Sequence, residues 1–446
     1  MKKALILGLG VSGRSAAEFL LKKGYAVTAV EKSADLLESN PEIKQLIKNG
    51  LTSHKESAVF EKFDFDLLVP SPGVPQKHPL YARAIEEGIE VVGEAELAFR
   101  HMKQRAVAIT GTNGKTTVTL LVEHILNKSG RKARALGNVG EPLTRYFLNP
   151  DPDEIVVAEL SSYQLETMNS QVFDAAALLN ITPDHLDRYP DMVSYAKAKC
   201  SIEKNLKPRS PLFVHEQVLP EFGSLFESRA FLTFGSNPTS HFWTDKEKVY
   251  QGEKVEYLLP LVYRGRGSHE SENALAAWLL VREFGVTGEQ FIQALNSFSK
   301  PSHRIEFVAK IEEVSYFDDS KGTNLDAVIR AVEAVPDPVI LIAGGVDKGA
   351  SYTPWIQAFQ GKVKRIVAMG QAAQKIRSEL GEAIQVEIVT SMEEAVCFAE
   401  QRAEKGGSVL LSPGCASFDM FRDYAHRGEE FKRCVNELEE RSEKNT

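Results

Sequence analysis

The chain has 446 residues, 43% hydrophobic and 26% charged, the balance of a globular protein with room for about three domains of ordinary size. Its formal net charge of -8 argues against nucleic acid as the main partner, because a phosphate backbone rewards a basic surface. No apolar run approaches the roughly 20 residues that cross a bilayer, so membrane insertion is not expected. Cys200, Cys397, Cys415 and Cys434 show no CxxC spacing, and read as free thiols of a reducing cytoplasm rather than as disulfides or a zinc site.

Residues 1–93 read as one α/β unit. Met1-Lys2-Lys3 with the apolar run behind it has the look of a secretion signal, but Gly8, Gly10, Gly13 and Arg14 interrupt the run too early. Residues 4–8 instead predict a strand, 15–22 a helix with Ala16, Phe19 and Leu20 on one face, and 26–30 a second strand ending at Glu31. Strands at 66–69 and 89–92 around a helix over 79–87 continue the alternation, which predicts a parallel sheet covered on both faces. Gly8-Leu9-Gly10-Val11-Ser12-Gly13 fits GxGxxG between a strand and a helix, with Glu31 at the end of the next strand. Such a turn offers backbone N–H groups to any diphosphate, so NAD and a nucleotide-sugar diphosphate both remain open, as does simple tight packing. Ser71-Pro72-Gly73 follows the next strand at the same sheet edge. Gly10, Val11, Ser12, Glu31, Lys32, Ser71, Pro72 and Gly73 are the candidates there.

Residues 94–299 form the largest segment. A strand at 106–109 runs into Thr110-Gly111-Thr112-Asn113-Gly114-Lys115-Thr116-Thr117, and a helix is predicted over 118–126. Strand, glycine turn, Lys-Thr and helix is an arrangement for holding the phosphates of ATP. The glycines turn N–H groups inward, the helix start adds partial positive charge, Lys115 neutralises phosphate, and Thr116 can ligate Mg²⁺. Two residues rather than four separate Gly111 from Gly114, so the spacing departs from GxxxxGK[ST]. Glu159 closes an apolar strand at 155–158, where a carboxylate suits a Mg²⁺ ligand or, alternatively, an acidic helix start. Asn180 to Tyr189 follows a strand at 175–179 and crowds Asp184, His185, Asp187 and Arg188 together. Lys199, in a helical stretch over 192–202, reads from the residues alone as any exposed helix lysine. The stretch 208–263 is less regular, with short β-like runs such as 212–214, and a helix follows Glu272.

Residues 300–446 predict another α/β unit, with strands at 339–343, 365–368 and 408–411 and a polar tail from Glu437. Three polar, glycine-containing turns follow apolar runs: Asp318-Asp319-Ser320-Lys321-Gly322-Thr323-Asn324, Gly344-Gly345-Val346-Asp347-Lys348-Gly349 and Ser412-Pro413-Gly414-Cys415-Ala416-Ser417-Phe418-Asp419. Together they suggest one substrate-facing rim. Cys415 within it reads as a small buried residue.

This set of motifs in this order resembles the bacterial Mur ligases over essentially the whole chain, and within them the branch that adds D-glutamate to UDP-N-acetylmuramoyl-L-alanine. The resemblance implies an α/β protein of three domains. These are a Rossmann-like UDP-binding domain at 1–93, a central ATPase domain of P-loop type with a mainly parallel sheet at 94–299, and a Rossmann-like domain for the amino acid at 300–446. It implies ATP and two Mg²⁺ ions as cofactors, an acyl-phosphate intermediate, and a monomer acting in peptidoglycan precursor synthesis. By position, Thr116 and Glu159 would hold one Mg²⁺, and His185 and Lys199 the second, with Lys199 carbamylated into a carboxylate-like ligand. Asn138 matches a contact to the muramoyl substrate, Asn273 an adenine contact, and Arg304 and Asp319 further nucleotide contacts. Thr323, Lys348, Ser417, Phe418 and Tyr424 match positions for D-glutamate. His269-Glu270-Ser271-Glu272-Asn273 departs from the family's usual His-Asn-x-x-Asn, and an ionised Glu270 accepts hydrogen bonds without donating them. Two other readings stand beside this one: a nicotinamide-dependent oxidoreductase built on Gly8–Gly13, and a binding protein that uses ATP only as a switch. A sister ligase with a different amino-acid specificity is the nearest alternative.

Overall fold

Short apolar runs become strands buried on both faces, as parallel sheets require. Ala106–Thr110, Ile155–Glu159, Ala175–Leu178, Val339–Gly344 and Ser408–Leu411 are buried throughout, and in Lys3–Leu7 only the first residue is exposed. The computed structural model describes residues 1–57, 60–186, 188–227, 230–263 and 268–444, and among these the strands form three sheets. Asp187 lies outside the described residues. No described helix is long and apolar enough to cross a membrane.

The first sheet is parallel and runs in the order Thr52–Lys55, Ala26–Glu31, Lys3–Leu7, Leu67–Pro70, Glu90–Val91. Its order reverses between Lys3–Leu7 and Leu67–Pro70, the switch point at which open α/β sheets form a ligand crevice. The Gly8–Gly13 turn and Ser71-Pro72-Gly73 sit at those two strand ends. The helix Val11–Lys22 starts inside the glycine turn, four residues earlier than its apolar face alone suggests, and buries Ala16, Phe19 and Leu20 as expected.

The second sheet runs Lys254–Leu258, Lys248–Gln251, Phe242–Thr244, Leu232–Gly235, Leu212–His215, Ala175–Leu178, Ala106–Thr110, Ile155–Glu159, Ala133–Gly137. Pairing is parallel from Phe242–Thr244 to Ala133–Gly137, and an antiparallel hairpin finishes the other edge. The irregular stretch 208–263 therefore contains four strands beyond Leu212–His215. They are only three to five residues long, and polar residues interrupt their apolar ones too soon for a continuous run. Cross-strand packing rather than apolar periodicity holds them: Trp243 and Tyr250 are register partners whose rings stack 3.9 Å apart.

The third sheet runs Glu306–Ile311, Val314–Asp318, Ser408–Leu411, Val339–Gly344, Val363–Met369, Gln385–Ile388, antiparallel only at its first pair. Separate apolar cores cover its two faces, one centred on fully buried Trp355 and one on Phe431. Adjacent strands Val314–Asp318, Ser408–Leu411 and Val339–Gly344 end in the three polar turns singled out above.

The chain divides into two compact units. One comprises Met1–Asn180, Val193–Pro260 and Glu272–Phe298, and the other Ile181–Met192, Leu261–Ser271 and Ser299–Thr446. The first contains the first two sheets. There Glu94, buried, accepts from Thr144 N (2.6 Å) and Oγ1 (2.7 Å), and Ser15 Oγ lies 2.6 Å from Thr144 Oγ1. Burial pushes the Glu94 carboxyl up.

Candidate active site

Gly111 (φ +148°) and Gly114 (φ +86°) turn the chain from the Ala106–Thr110 strand into the helix Lys115–Lys128. The helix has no side-chain cap at Gly114, so its first-turn N–H groups keep their positive end. The loop is fastened from the next strand end. Thr112 N donates to Asn180 O (2.9 Å), Asn113 N to Asn180 Oδ1 (2.8 Å), and Asn180 Nδ2 back to Asn113 O (3.0 Å). Tyr195 OH lies 3.0 Å from Thr112 Oγ1. Lys115 Nζ donates to Gly111 O and Thr112 O, both at 2.8 Å, and Lys199 Nζ also donates to Gly111 O at 2.8 Å. Two ammonium groups thus converge on one carbonyl, a concentration of positive charge suited to a polyanion. Lys199 is 2% exposed and lies over the Tyr195 ring at 4.7 Å, so the expectation of an ordinary exposed lysine is corrected by the structure. Gly111, Thr112, Asn113 and Thr116 are buried, and Thr117 is half-buried.

Asn180 and Tyr195 were not among the sequence candidates. Tyr195 had a signal, since it precedes Lys199 by one helical turn on the same face. Asn180 had none beyond its place at a strand end. Asn273 Oδ1 comes within 2.8 Å of where a Cβ on Gly114 would lie. Gly114→Ala would meet both this contact and the left-handed φ, and is expected to cost about 1–2 kcal/mol of stability and to weaken ATP binding. Urea unfolding and a nucleotide titration of the variant check both effects.

Glu159 ends the strand beside the loop strand, in register with Ile109, and is 1% exposed. Asn138 holds it twice: Asn138 Nδ2 donates to Oε1 (2.8 Å) and Asn138 N to Glu159 O (2.9 Å). Its Oε2 is buried with no hydrogen-bond partner. Glu159 is not a helix cap, because Ser161 caps the following turn in a capping box with Gln164. A desolvated carboxylate oxygen without a proton donor, close to a phosphate loop, fits a divalent cation.

At the first sheet's switch point, Glu31 accepts from Leu9 N (2.6 Å) and Ser33 N (2.8 Å), so both its oxygens hold backbone. Ser71 Oγ donates to Gly8 O at 2.8 Å, joining the two turns across adjacent strand ends. Gly13 has no room for a Cβ, which would strike Gly8 O. Around this scaffold Gly10, Val11, Lys32 and Gly73 are exposed, and Ser12 and Pro72 half-buried.

In the second unit, Asp184 Oδ1 accepts from Lys348 Nζ (2.9 Å) and its Oδ2 from Asn324 Nδ2 (3.3 Å). Asp184 Oδ1 also accepts from the N–H of His185, which sits at φ +56°. The acidic turn after Asn180 is thus organised around Asp184, a residue the sequence placed in the motif without a role. Asp319 is buried, and its Oδ2 accepts from Ser412 Oγ at 2.7 Å. Burial pushes its carboxyl up to about 7 against the pull of the Arg304 guanidinium. Arg304 Nε is buried without a hydrogen-bond partner, between His303 (φ +63°) and Ile305 (φ +50°). His303 Nδ1 lies 2.6 Å from Asp318 Oδ2, and Lys432 Nζ reaches Glu306 Oε2 (2.6 Å) and Asp318 Oδ2 (3.7 Å), so a lysine already balances these carboxylates. On the rim, Ser417 is buried, Thr323 and Lys348 half-buried, and Tyr424 and Phe418 exposed, Phe418 by 74%. Glu270 pairs with Lys300.

Comparison with known proteins agrees with this layout segment by segment. The N-terminal domain of MurD-like Mur ligases matches residues 2–93, the Mur ligase middle domain 109–281, and the Mur ligase glutamate ligase domain 303–415. The UDP-N-acetylmuramoylalanine–D-glutamate ligase of Protochlamydia amoebophila is 51% identical over 437 residues, covering 98% of each chain. That of Trichlorobacter lovleyi is 38% identical over 449 residues, covering 98% of this chain and 99% of its own. Among solved structures, the UDP-N-acetylmuramate-alanine ligase of Thermotoga maritima shares the fold with a TM-score of 0.61 at 18% identity, over 98% of this chain and 100% of that one. The MurF ligase of Thermotoga maritima, solved in complex with ADP, gives 0.60 at 16% identity over 94% and 96%. With all three sheets matched by the family's domains and full-length relatives well above the identity at which kinship is secure, the chain belongs to the Mur ligase family, in its UDP-N-acetylmuramoylalanine–D-glutamate ligase branch.

Proposed function

We propose that this chain is an ATP-dependent amide ligase that joins D-glutamate to the terminal carboxyl of UDP-N-acetylmuramoyl-L-alanine in peptidoglycan precursor synthesis. The observation that carries the reading is the Gly111–Thr116 loop with the Lys115 ammonium held against it, close to a buried Glu159 with one unpartnered oxygen. In the first half-reaction a carboxylate oxygen of the substrate attacks the γ-phosphorus, and the bond to ADP breaks. In the second, the amine of D-glutamate attacks the acyl carbon, and the tetrahedral adduct loses a proton from nitrogen and expels phosphate. The loop N–H groups and Lys115 lower the cost of charge shifting between β- and γ-phosphates.

Thr116 and Glu159 would hold Mg²⁺, which when bound neutralises phosphate oxygens. Asn138 fixes the Glu159 carboxylate, so its orphaned oxygen faces a defined direction. The assignment of a second Mg²⁺ to His185 and to a carbamylated Lys199 rests on the resemblance. A bicarbonate carbon label on Lys199, seen by NMR and lost in Lys199→Arg, is its test. UDP is assigned to the switch point of the first sheet, around Gly10–Ser12 and Ser71–Gly73, and ATP contacts to Asn273, Arg304 and Asp319. D-glutamate is assigned to the rim of the third sheet, through Thr323, Lys348, Ser417, Phe418 and Tyr424. A dianionic amino acid needs a cation and neutral donors there, and charge-assisted bonds are the strong ones. A nicotinamide reading leaves the Lys115 loop without a task, and Glu31 already accepts from two backbone donors.

With UDP-N-acetylmuramoyl-L-alanine labelled by ¹⁸O in its carboxyl group, one labelled oxygen is expected in each phosphate released, and release should require D-glutamate. Phosphate without label, or release indifferent to the amino acid, overturns the proposal.

A further inference from the structure

The third sheet contains a charged side chain that neither the motifs nor the proposed reaction uses. Arg427, in the helix Tyr424–Lys444, is 1% exposed. Among the described residues no carboxylate lies within ion-pair distance of it; its acceptors are neutral. Nε donates to Ser320 Oγ (3.0 Å), Nη2 to Ser320 O (2.9 Å) and Cys415 O (3.2 Å), and Nη1 reaches Gly344 O (3.5 Å). Those acceptors come from all three strand-end turns. Ser320 stands three residues before Thr323, Gly344 four before Lys348, and Cys415 two before Ser417.

Burying a guanidinium among carbonyls, with Asp318, Asp319 and Asp419 acting only at longer range, is a costly route to stability. What the planar fork does well is fix directions, since its five donors point in set ways that a lysine ammonium cannot copy. The surroundings are shaped to admit it. Gly345 is at φ +132°, and a Cβ there would lie 3.2 Å from Arg427 Nη1 and collide with Ala416 O. The same turns are cross-tied by Gly344 N to Pro413 O, Val346 N to Ala416 O and Gly414 N to Gly322 O, all at 2.8 Å. The guanidinium sits where these ties meet.

We propose that Arg427 is a positioning residue for the amino-acid site, fastening the turns that carry Thr323, Lys348 and Ser417 into one rim. It touches no reacting atom and acts through those three residues. The inference rests on the reading of this rim as the D-glutamate site.

Steady-state kinetics of the full chain test it, with each substrate varied in turn. Arg427→Met, close in length but without donors, is expected to raise KM for D-glutamate by about tenfold or more while leaving KM for ATP and for the UDP substrate within about threefold. Arg427→Lys should recover part of the loss, and Ser320→Ala, which removes one acceptor, should give a smaller rise in the same KM. Should Arg427→Met fail to fold by circular dichroism, Arg427→Lys and Ser320→Ala decide. Folded variants with an unchanged KM for D-glutamate, or with all three KM values rising together, overturn the positioning role. A wild-type chain that makes no amide overturns the ligase reading, and the positioning role with it. An active wild type with indifferent variants overturns the positioning role alone.

Discussion

Lys115→Ala is expected to lower kcat by about two to three orders of magnitude, corresponding to about 3–4 kcal/mol of transition-state stabilisation. Lys115 Nζ is held at 2.8 Å from two loop carbonyls, so its charge is already in place beside the phosphate turn rather than recruited from solvent. Charge that is pre-placed costs no reorganisation as the γ-phosphoryl group moves, which is why its removal weighs on the chemical step. The ties from Asn180 to Thr112 and Asn113 remain in the variant, so the loop keeps its fastening and the fold should survive. Rapid-quench single turnovers separate chemistry from product release, and a melting curve guards against unfolding. Normal turnover in a folded Lys115→Ala protein would falsify the role given to this residue.

The second large effect is on stability and depends on pH. Asp319 has an ordinary value of 3.8 and is pushed up to about 7 in the folded chain, chiefly by burial. Between these values the native state holds a proton that the unfolded state has released. Stability from this group therefore falls as pH rises through that window and levels off above 7. Asp319→Asn cannot titrate. The stability of the variant relative to the parent should thus climb by up to about 4 kcal/mol from pH 4 to pH 8, three pKa units at 1.36 kcal/mol each. Nucleotide affinity should meanwhile fall, if Asp319 contacts ATP as proposed. Paired urea titrations across that range measure the difference directly, since groups away from Asp319 titrate alike in both proteins. A difference that stays flat with pH would show that Asp319 is ionised at no cost.

Much of this was legible from the residues because parallel strands, buried on both faces, leave continuous apolar runs. Val339–Gly344 and Ser408–Leu411 are plain in the sequence for that reason. Thr52–Lys55 and Gln385–Ile388 are not, because as edge strands they are largely exposed and polar. The phosphate turn was readable from its glycines and Lys-Thr, yet the helix behind it begins at Lys115 rather than Val118, since a turn that ends in a helix lends the helix its first residues. What could not be read was partnership across the chain. Asn138 with Glu159, Asn180 with Asn113 and Asp184 with Lys348 are separated by 21, 67 and 164 residues, and no local pattern encodes such pairs. Lys199 shows the same limit from the other side, because only the folded chain reveals that its ammonium is desolvated.

The double clasp between Asn113 and Asn180, with Tyr195 on Thr112, has a kinetic and thermodynamic consequence of its own. A loop already frozen in shape loses little freedom when a ligand arrives, so the entropy of ordering was met when the chain folded and encounter with nucleotide needs no slow rearrangement of Gly111–Thr116. Loosening the clasp at Asn180 would leave every phosphate-binding group in the chain and still make binding weaker, through disorder alone.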